Sequence, residues 1–347
     1  MSPRRAPPPS ASEMMPVPPP DAAVARFRDD VARVAAAAFD GAAPAADARI
    51  ALAVSGGADS MAMLALAVAA FPGRTVAATF DHRLRAASAD EAAMVARACA
   101  SLEVPHRTLA PPDAIAGSSI QMRARRARYA ALSAWADAAG AAMLLTAHHA
   151  DDQAETLLMR LNRGAGVAGL AAIRPWRFDG DVAVLRPLLG WRRAELRLVA
   201  QAAAMPFVDD PSNDDPRHDR TRMRALLAAT PALDPVRLAA SAAWLAEAEA
   251  VLARLAGRLW EERWRGPDRP FAVAEEEREL RRRLVRRAII AVRESAAITL
   301  PAFDDSTNVE PLLDALEAGR VAVQGGVKVA ATPAGWQFSV APPRRSV

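Results

Sequence analysis

Short apolar runs alternate with longer helical patterns between residues 50 and 203. Strands are predicted at 50–54, 76–80, 106–109, 142–146 and 182–185, and helices at 59–70, 89–102, 121–138, 152–162 and 192–203. Strands that alternate with helices form a parallel sheet, because each helix returns the chain to the same edge of the sheet. The sequence therefore predicts an α/β fold whose ligands bind beyond the carboxyl ends of the strands.

The remaining segments differ in character from this alternating region. Residues 1–22 are rich in proline and lack an apolar segment, so they predict a disordered leader rather than a secretion signal. The α/β region is expected to form one domain at 23–217. Residues 218–347 predict a second, mainly helical domain, with helices at 236–264 and 275–295 and short β-type segments near Gly325-Gly326 and Trp336.

Composition excludes several classes of protein. Apolar runs are interrupted by charge well short of the roughly 20 residues that a membrane span requires, so no membrane partner is expected. Cys99 is the only cysteine, which excludes an internal disulfide and a paired-cysteine zinc site and fits a reducing cytoplasm. Lys328 is the only lysine and lies in GGVKVAA, so a Walker A loop and a Schiff-base lysine are excluded. Arginine, which suits bidentate phosphate contact, supplies the other cations.

A glycine-rich segment follows the first predicted strand and precedes a helix. It consists of Ser55, Gly56, Gly57, Ala58, Asp59 and Ser60. Two glycines allow a tight turn and a close approach of the backbone to a ligand, and the N–H groups of a helix start attract an anion. The segment therefore predicts a phosphate-binding loop. The alternative is an ordinary turn in which Asp59 or Ser60 caps the helix.

In the stretch 146–156, TAHHADDQAET, another predicted strand ends and a predicted helix begins. Asp152 and Glu155 are three residues apart, so on a helix they share a face and could hold an amine or Mg²⁺. The alternative is that Asp152 and Glu155 form a capping box at the helix start. His148 and His149 are adjacent, which is a poor spacing for metal ligands, and contact with a nucleotide or with backbone is favoured.

Basic segments lie nearby. Arg123, Arg125, Arg126 and Arg128, followed by Tyr129, indicate either phosphate contact or a solvated helix face. The segment 208–213 leads into Arg217, Arg220, Arg222 and Arg224. Because arginines two apart cannot all share a helical face, part of that run is expected to be extended or to start a helix. The pattern GAGVAG at 164–169 follows a helix rather than a strand, so no dinucleotide site is expected there.

In this order the motifs resemble those of the tRNA(Ile)-lysidine synthetases, members of the N-type ATP pyrophosphatases. The resemblance covers roughly residues 50–227 and rests on SGGADS, DHRLR, RARRARY, TAHHADDQAETLLMRLNRGAGVAGL, RPLL, and DDPSND followed by RTRMR. It implies a parallel-sheet PP-loop domain that binds ATP and carries catalysis at 23–217, and a helical tRNA-binding domain at 218–347. It also implies a cytoplasmic protein and leaves a homodimer open.

The resemblance implies a two-step reaction at the wobble cytidine of a tRNA(Ile) with a CAU anticodon. ATP adenylates the C2 oxygen and pyrophosphate is released. The ε-amine of free L-lysine then attacks C2 and AMP departs, which changes the codon read from AUG to AUA. ATP is the expected nucleotide substrate and Mg²⁺ the expected metal ion.

The resemblance also implies residue roles. The ATP-binding residues would be Ser55, Gly56, Gly57, Ala58, Asp59, Ser60 and His148. Asp59 would hold Mg²⁺, and Asp59, Asp152 and Glu155 would be catalytic, with Asp152 and Glu155 binding lysine. Contacts to tRNA or phosphate would come from Arg123, Arg126, Arg220 and Arg224. The arginines at 281–287 are either a further tRNA surface or a solvated face among glutamates. Thr221 stands where the family pattern has asparagine.

Three other classes of protein compete with this interpretation. A thiolating tRNA enzyme needs catalytic cysteines, and Cys99 in a helical apolar stretch is a core residue. Another PP-loop ligase, acting on a small molecule, would release pyrophosphate without RNA. A nucleotide-binding sensor would bind ATP and leave it intact.

Overall fold

The computed structural model describes residues 16–41, 45, 47–83, 87–112, 120–209, 219–305 and 307–342. They belong to two compact units, Met1–Ala246 and Glu247–Val347. Most of the predicted leader, up to residue 15, lies outside the described residues. The same holds for residues 84–86 of the DHRLR motif and for residues 210–218, which include Arg217.

The first unit is built on a six-stranded sheet with the order β3-β2-β1-β4-β6-β5. Its strands are β1 Ile50–Ala53, β2 Thr75–Phe80, β3 His106–Leu109, β4 Met143–Leu145, β5 Trp176–Asp179 and β6 Val182–Leu185. All pairs are parallel except β5 with β6. The predicted parallel sheet is thus confirmed. The antiparallel edge strand β5 was not predicted, because its residues Trp, Arg, Phe and Asp alternate apolar with polar side chains and none of them is fully buried.

Eight helices of the first unit cover this sheet in the described residues. They are α1 Asp21–Ala38, α2 Ala58–Ala70, α3 Ala87–Ser101, α4 Ile120–Ala138, α5 Ala150–Leu161, α6 Val167–Leu170, α7 Arg193–Ala202 and α8 Asp219–Ala229. A ninth helix, α9 Pro235–Arg263, continues into the second unit. Helix α1 begins inside the predicted leader, where Val17 already donates its N–H to the carbonyl of Ala203.

The core forms on both faces of the sheet because side chains of a strand alternate. Ile50 and Leu52 of β1 pack on the face covered by α1, α2 and α7, and Ala51 packs on the face covered by α4. Helix α2 is apolar all round, since it lies against both α1 and α7. This burial fixes the start of α2, and with it the glycine-rich segment, at the edge of the sheet.

The first unit extends further than the domain boundary placed after residue 217. Helix α8 packs on α5, and the unit ends at Ala246. Arg220 and Arg224 lie four residues apart on one face of α8 and both contact Glu155 of α5. The run from Arg220 to Arg224 is therefore entirely helical, and ion pairs across the sequence hold it to the first unit.

The second unit has its own core. The later part of α9 is joined by α10 Arg278–Ser295, α11 Glu310–Glu317, and strands β7 Pro270–Phe271, β8 Ala322–Gln324, β9 Val327–Thr332 and β10 Gly335–Val340. The strands form an antiparallel sheet in the order β7-β10-β9-β8. Phe271, Phe338 and Ile289 are buried in this core. Gly325 and Gly326 have φ of 59° and 79° in the β8–β9 turn, within the region where short β-type segments were expected.

In the part of the chain that the structure describes, no helix combines the length and the apolar character needed to cross a membrane.

Candidate functional site

A pocket lies at the carboxyl ends of β1 and β4. The strand order reverses between them: β2 and β3 follow β1 on one side, and β6 follows β4 on the other. Such a reversal leaves a crevice in which α/β proteins bind ligands. Ser55, Gly57 and Asp59 line the pocket from the segment after β1, and Thr146 and His148 line it from the segment after β4.

The glycine-rich segment forms a tight, uncapped helix start. Gly56 has φ of 89°, and a Cβ atom there would lie 3.3 Å from the Cε atom of Met94. Gly57 is the N-cap residue of α2, and no side chain bonds to the first turn as a cap. Ser60 instead donates its hydroxyl to the carbonyl of Gly57 at 2.9 Å. The alternative turn, in which Asp59 or Ser60 caps the helix, therefore does not form. The N–H groups in the first turn of α2 can bind an anion.

Asp59 has the properties of a magnesium ligand. Its Oδ1 atom is buried and has no hydrogen-bond partner among the described residues, whereas its Oδ2 atom lies 3.4 Å from Nε2 of His149. No group of three or more His, Cys, Asp or Glu side chains in the described ranges could hold a metal ion by itself. Mg²⁺ binds through one or two carboxylates together with substrate phosphates, so a single carboxylate at a phosphate-binding loop fits it.

The segment after β4 starts α5 with a capping box. Nδ1 of His149 accepts the backbone N–H of Asp152 at 3.3 Å, and Oδ2 of Asp152 accepts the backbone N–H of His149 at 3.1 Å. The alternative box from Asp152 to Glu155 does not form, because the helix begins earlier, at Ala150. Glu155 is therefore free of a capping role.

Asp152 and Glu155 share a face, as predicted, but protein cations contact them. Arg220 donates to Oδ1 of Asp152 and to Oε2 of Glu155, each at 2.6 Å, and Arg224 donates to Oε1 of Glu155 at 2.9 Å. The Glu155 side chain is 2% exposed. Burial alone would raise the pKa of Asp152, but His149 and Arg220 outweigh it and hold that pKa below its usual value. Asp152 and Glu155, to which the resemblance assigns lysine binding, thus hold α8 on α5. They do so through Arg220 and Arg224, the two arginines expected to contact RNA or phosphate.

His148 lies in the wall of the pocket, where contact with a nucleotide was predicted. Its Nδ1 atom is 3.0 Å from the hydroxyl of Thr146. Burial lowers the pKa of His148 to about 3, and the positive charges of Arg186 and Arg125 act in the same direction while Asp152 opposes them. The imidazole is therefore neutral at physiological pH and can donate or accept a hydrogen bond.

Helix α4 presents other arginines to the pocket than Arg123 and Arg126, to which the resemblance assigns contact with tRNA or phosphate. Arg125 and Arg128 line it, together with Tyr129, whereas Arg123 and Arg126 are exposed outside its lining. The spacing of three and four residues was the available signal, because Arg125, Arg128 and Tyr129 fall on one helical face and Arg123 and Arg126 do not. Tyr129, the only tyrosine of the chain, is buried.

Positive charge concentrates around the Tyr129 ring. The guanidinium carbons of Arg177, Arg125 and Arg128 lie 4.6, 5.0 and 5.4 Å from the ring centroid. Within the described residues, Arg125, Arg128 and Arg186 form no ion pair with a carboxylate, and buried Arg186 donates to the carbonyl of Arg174. Burial lowers the pKa of both Arg128 and Arg186, although Tyr129 opposes it. Uncompensated cations opposite a phosphate-type loop favour an anionic ligand.

The arginines of α10 have the opposite surroundings. Arg281 pairs with Glu317, Arg282 with Glu279 and Glu310, and Arg283 with Glu249 and Glu279. Of the two interpretations offered for residues 281–287, the face among neighbouring glutamates describes these three arginines.

Comparisons with known proteins agree with the fold and the loop. Residues 30–230, more than half of the chain, match the family model described as the PP-loop domain. A U34-tRNA thiolase from Methanococcus maripaludis has a similar fold, with a TM-score of 0.51 and 15% identity over 65% of this chain and 79% of that one. The chain is a PP-loop protein.

Curated relatives narrow the class. The tRNA(Ile)-lysidine synthase of Novosphingobium aromaticivorans is 45% identical over 310 residues, which cover 86% of this chain and 90% of the relative. The tRNA(Ile)-lysidine synthase of Zymomonas mobilis is 37% identical over the same shares of the two chains. The chain belongs to the tRNA(Ile)-lysidine synthase family, as the motifs predicted.

Proposed function

We propose that this chain is an ATP-dependent carbon–nitrogen ligase that joins lysine to C2 of the wobble cytidine of a tRNA(Ile) with a CAU anticodon. One observation carries the proposal: an uncapped helix start, an unpartnered Asp59 oxygen and the unpaired Arg128 line the same pocket. Membership of the family supports it, since the relatives are named for this reaction.

The loop and α4 would act on the nucleotide. The N–H groups from residues 58–60 and the hydroxyls of Ser55 and Ser60 would bind the phosphates, and neutral His148 would lie beside the nucleotide. Asp59 would hold Mg²⁺, which supplies charge neutralisation on the phosphate oxygens when bound. The C2 oxygen of cytidine bonds to the α-phosphorus, and the bond to the pyrophosphate leaving group breaks. Guanidiniums at Arg125 and Arg128 would stabilise the charge that grows on pyrophosphate.

The α5 carboxylates would act on lysine. Every carboxylate oxygen of Asp152 and Glu155 already accepts one hydrogen bond, from Arg220, Arg224 or the backbone of His149. A carboxylate oxygen has two lone pairs, so the ε-ammonium can share these oxygens with the arginines. Once deprotonated, the amine nitrogen bonds to C2 and AMP leaves. The arginines would then orient the carboxylates rather than contact RNA.

RNA contact by the second unit is part of the same proposal. Because Arg281, Arg282 and Arg283 are paired with glutamates, the exposed Arg254 and Arg258 of α9 are better placed to meet phosphates. They lie four residues apart on one helical face. A reaction that uses tRNA and free lysine supports a cytoplasmic location.

The test is ATP–pyrophosphate exchange with the full-length chain. One reaction contains tRNA(Ile) transcript with a CAU anticodon, a second contains the same transcript with GAU, and a third contains no RNA. We expect exchange only with CAU, and incorporation of labelled lysine into that transcript alone. Exchange without RNA would identify a small-molecule ligase, and ATP binding without any exchange would identify a sensor.

Asp59→Asn serves as the matched variant in this assay. It keeps the size of the side chain and removes the charge that would hold Mg²⁺, so we expect exchange to fall by about 10²-fold or more. Unchanged exchange in Asp59→Asn would remove Asp59 from the proposed metal site.

A further inference from the structure

We propose that His149 is a positioning residue that couples the nucleotide half of the pocket to the lysine half, an inference that rests on the function proposed above. Its imidazole lies between Asp59, in the first turn of α2 after β1, and Asp152, in the first turn of α5 after β4. Nothing in the motif at 146–156 distinguishes this role from a simple helix cap, and only the position of Asp59 reveals it.

The two ring nitrogens have separate partners. Nδ1 accepts the backbone N–H of Asp152, so in the neutral ring the proton lies on Nε2. Nε2 is 3.4 Å from Oδ2 of Asp59 and 3.5 Å from Oδ2 of Asp152. Nε2 therefore lies within ion-pair distance of two carboxylates from different helices. The side chain is 4% exposed, which fixes the ring in this position.

A third carboxylate near the ring has other partners. Oδ2 of Asp151 is 3.8 Å from Nδ1, but Asp151 accepts hydrogen bonds from the guanidinium of Arg192 and from the backbone N–H of Arg193. Asp151 is thus held by α7 and the residue before it. The Nε2 contacts to Asp59 and Asp152 are the ones that join the two halves of the pocket.

The position of Nε2 has a consequence for each carboxylate. Two carboxylates that approach one imidazole nitrogen repel each other, and the N–H between them offsets the repulsion. Because Oδ2 of Asp59 faces Nε2 of His149, the buried and unpartnered Oδ1 is the oxygen left for a cation. Oδ2 of Asp152 faces the same nitrogen, and Oδ1, which accepts a hydrogen bond from Arg220, is the oxygen that would be shared with lysine. Loss of Nε2 should therefore disturb both ligand sites together.

Two substitutions separate the helix cap formed by Nδ1 from the contact of Nε2 with Asp59 and Asp152, which we call the bridge. Asparagine is among the preferred N-cap residues and places an acceptor near the position of Nδ1, but it has no atom at the position of Nε2. Glutamine extends an N–H donor toward that position. His149→Asn should keep the cap and lose the bridge, and His149→Gln should restore part of the bridge. His106→Asn is the control, because His106 lies on β3, bonds to Thr79 and is outside the pocket lining.

We expect His149→Asn to change the thermal midpoint by less than about 2 °C. Its dissociation constant for a non-hydrolysable ATP analogue with Mg²⁺, measured by calorimetry, should rise about tenfold, and its KM for lysine should rise by a similar factor. His149→Gln should recover part of both losses, and His106→Asn should show neither. A purely structural role would lower the thermal midpoint and leave the two constants unchanged.

The inference is overturned if His149→Asn keeps both constants within about twofold of wild type, or if only one of them changes. Failure of the proposed function is seen separately, as wild-type protein that shows no exchange dependent on tRNA. In that case calorimetry with the ATP analogue and with lysine still decides whether His149 couples two sites, because neither measurement needs a reaction.

Discussion

The arginines of the pocket and those of α10 differ in their partners rather than in their number. Arg282 and Arg283 of α10 each contact two carboxylates, whereas Arg125 and Arg128 of α4 contact none within the described residues. By sequence, both segments are dense runs of arginine on a helix. The density of arginines therefore does not tell whether they have carboxylate partners, and cations without such partners favour an anionic ligand.

A physical difference underlies this contrast. Arg281, Arg282 and Arg283 of α10 are themselves largely buried, with 14% to 27% of their side chains exposed, but each has a carboxylate that balances its charge inside the folded chain. A half-buried cation without a partner reduces the stability of the free protein. It is retained where a ligand anion supplies the missing charge, which is the expectation for Arg128 opposite the glycine-rich loop.

The first prediction compares two carboxylates that have the same number of arginine partners but differ in burial, and we expect it to give the largest change. Glu155 and Glu317 each accept two guanidiniums, but their side chains are 2% and 35% exposed. Glu155→Gln should lower the free energy of unfolding by about 3–5 kcal/mol, because two guanidiniums lose their buried counter-charge. Glu317→Gln should lower it by less than about 1 kcal/mol. Urea denaturation measures both, and equal losses would contradict the distinction drawn between the two regions.

The second prediction concerns the unpaired pocket cation. Arg128→Gln should reduce RNA-dependent pyrophosphate release by about 10- to 100-fold, because a charge facing the leaving group is lost. It should leave the free energy of unfolding unchanged or higher, since a desolvated cation has been removed. Arg126→Gln, on the exposed side of the same helix, is the control and should alter neither quantity. Equal losses of activity in both variants would place the important face of α4 elsewhere.

The third prediction concerns the loop opposite these cations. Gly56→Ala forces an alanine into φ of 89° and brings its Cβ within 3.3 Å of Met94, so the free energy of unfolding should fall by about 1–2 kcal/mol. Gly57→Ala has negative φ, and its Cβ would meet only the Ser55 hydroxyl at 3.9 Å. Thermal denaturation should therefore separate the two variants, with Gly57→Ala close to wild type. A reversed order would mean that the turn adopts another conformation.

The smallest expected effect comes from α10. Arg282→Gln removes one member of a network of partly exposed side chains and should lower the free energy of unfolding by at most about 1 kcal/mol. Raising the salt concentration should shrink that difference further, because exposed charges are screened. Pyrophosphate release should stay at the wild-type level. A loss of activity comparable to that of Arg128→Gln would show that this paired surface also meets the substrate.

Much of the fold was predictable from local patterns. The five parallel strands, the loop after β1 and the helix after β4 follow from apolar periodicity and from glycine and polar residues at strand ends. The end of the first unit was harder to predict, because the composition of the chain changes after Pro216 whereas helices beyond that residue still pack on the first unit. Edge strand β5 was not predicted for a related reason, because a half-buried strand has few apolar residues that mark it in the sequence.

Some site residues could likewise be predicted from local motifs, and others could not. The loop residues and His148 were found from motif and resemblance, and the structure brings them to one pocket. Arg125, Arg128 and Tyr129 required attention to which helical face turns inward. The bridge from Asp59 through His149 to Asp152 joins two strand ends, so no local spacing indicates it.

Local patterns were enough to infer the order of strands and helices, the phosphate-type loop and the expected ligand-binding edge of the sheet, because these depend on residues a few positions apart. Which charges meet depends on the folded chain. Arg220 reaches Glu155 across 65 residues of sequence, while Arg125 and Arg128 reach no carboxylate in the described residues. Coulomb interactions act through space, so the partner of a charge is settled only when the chain has folded.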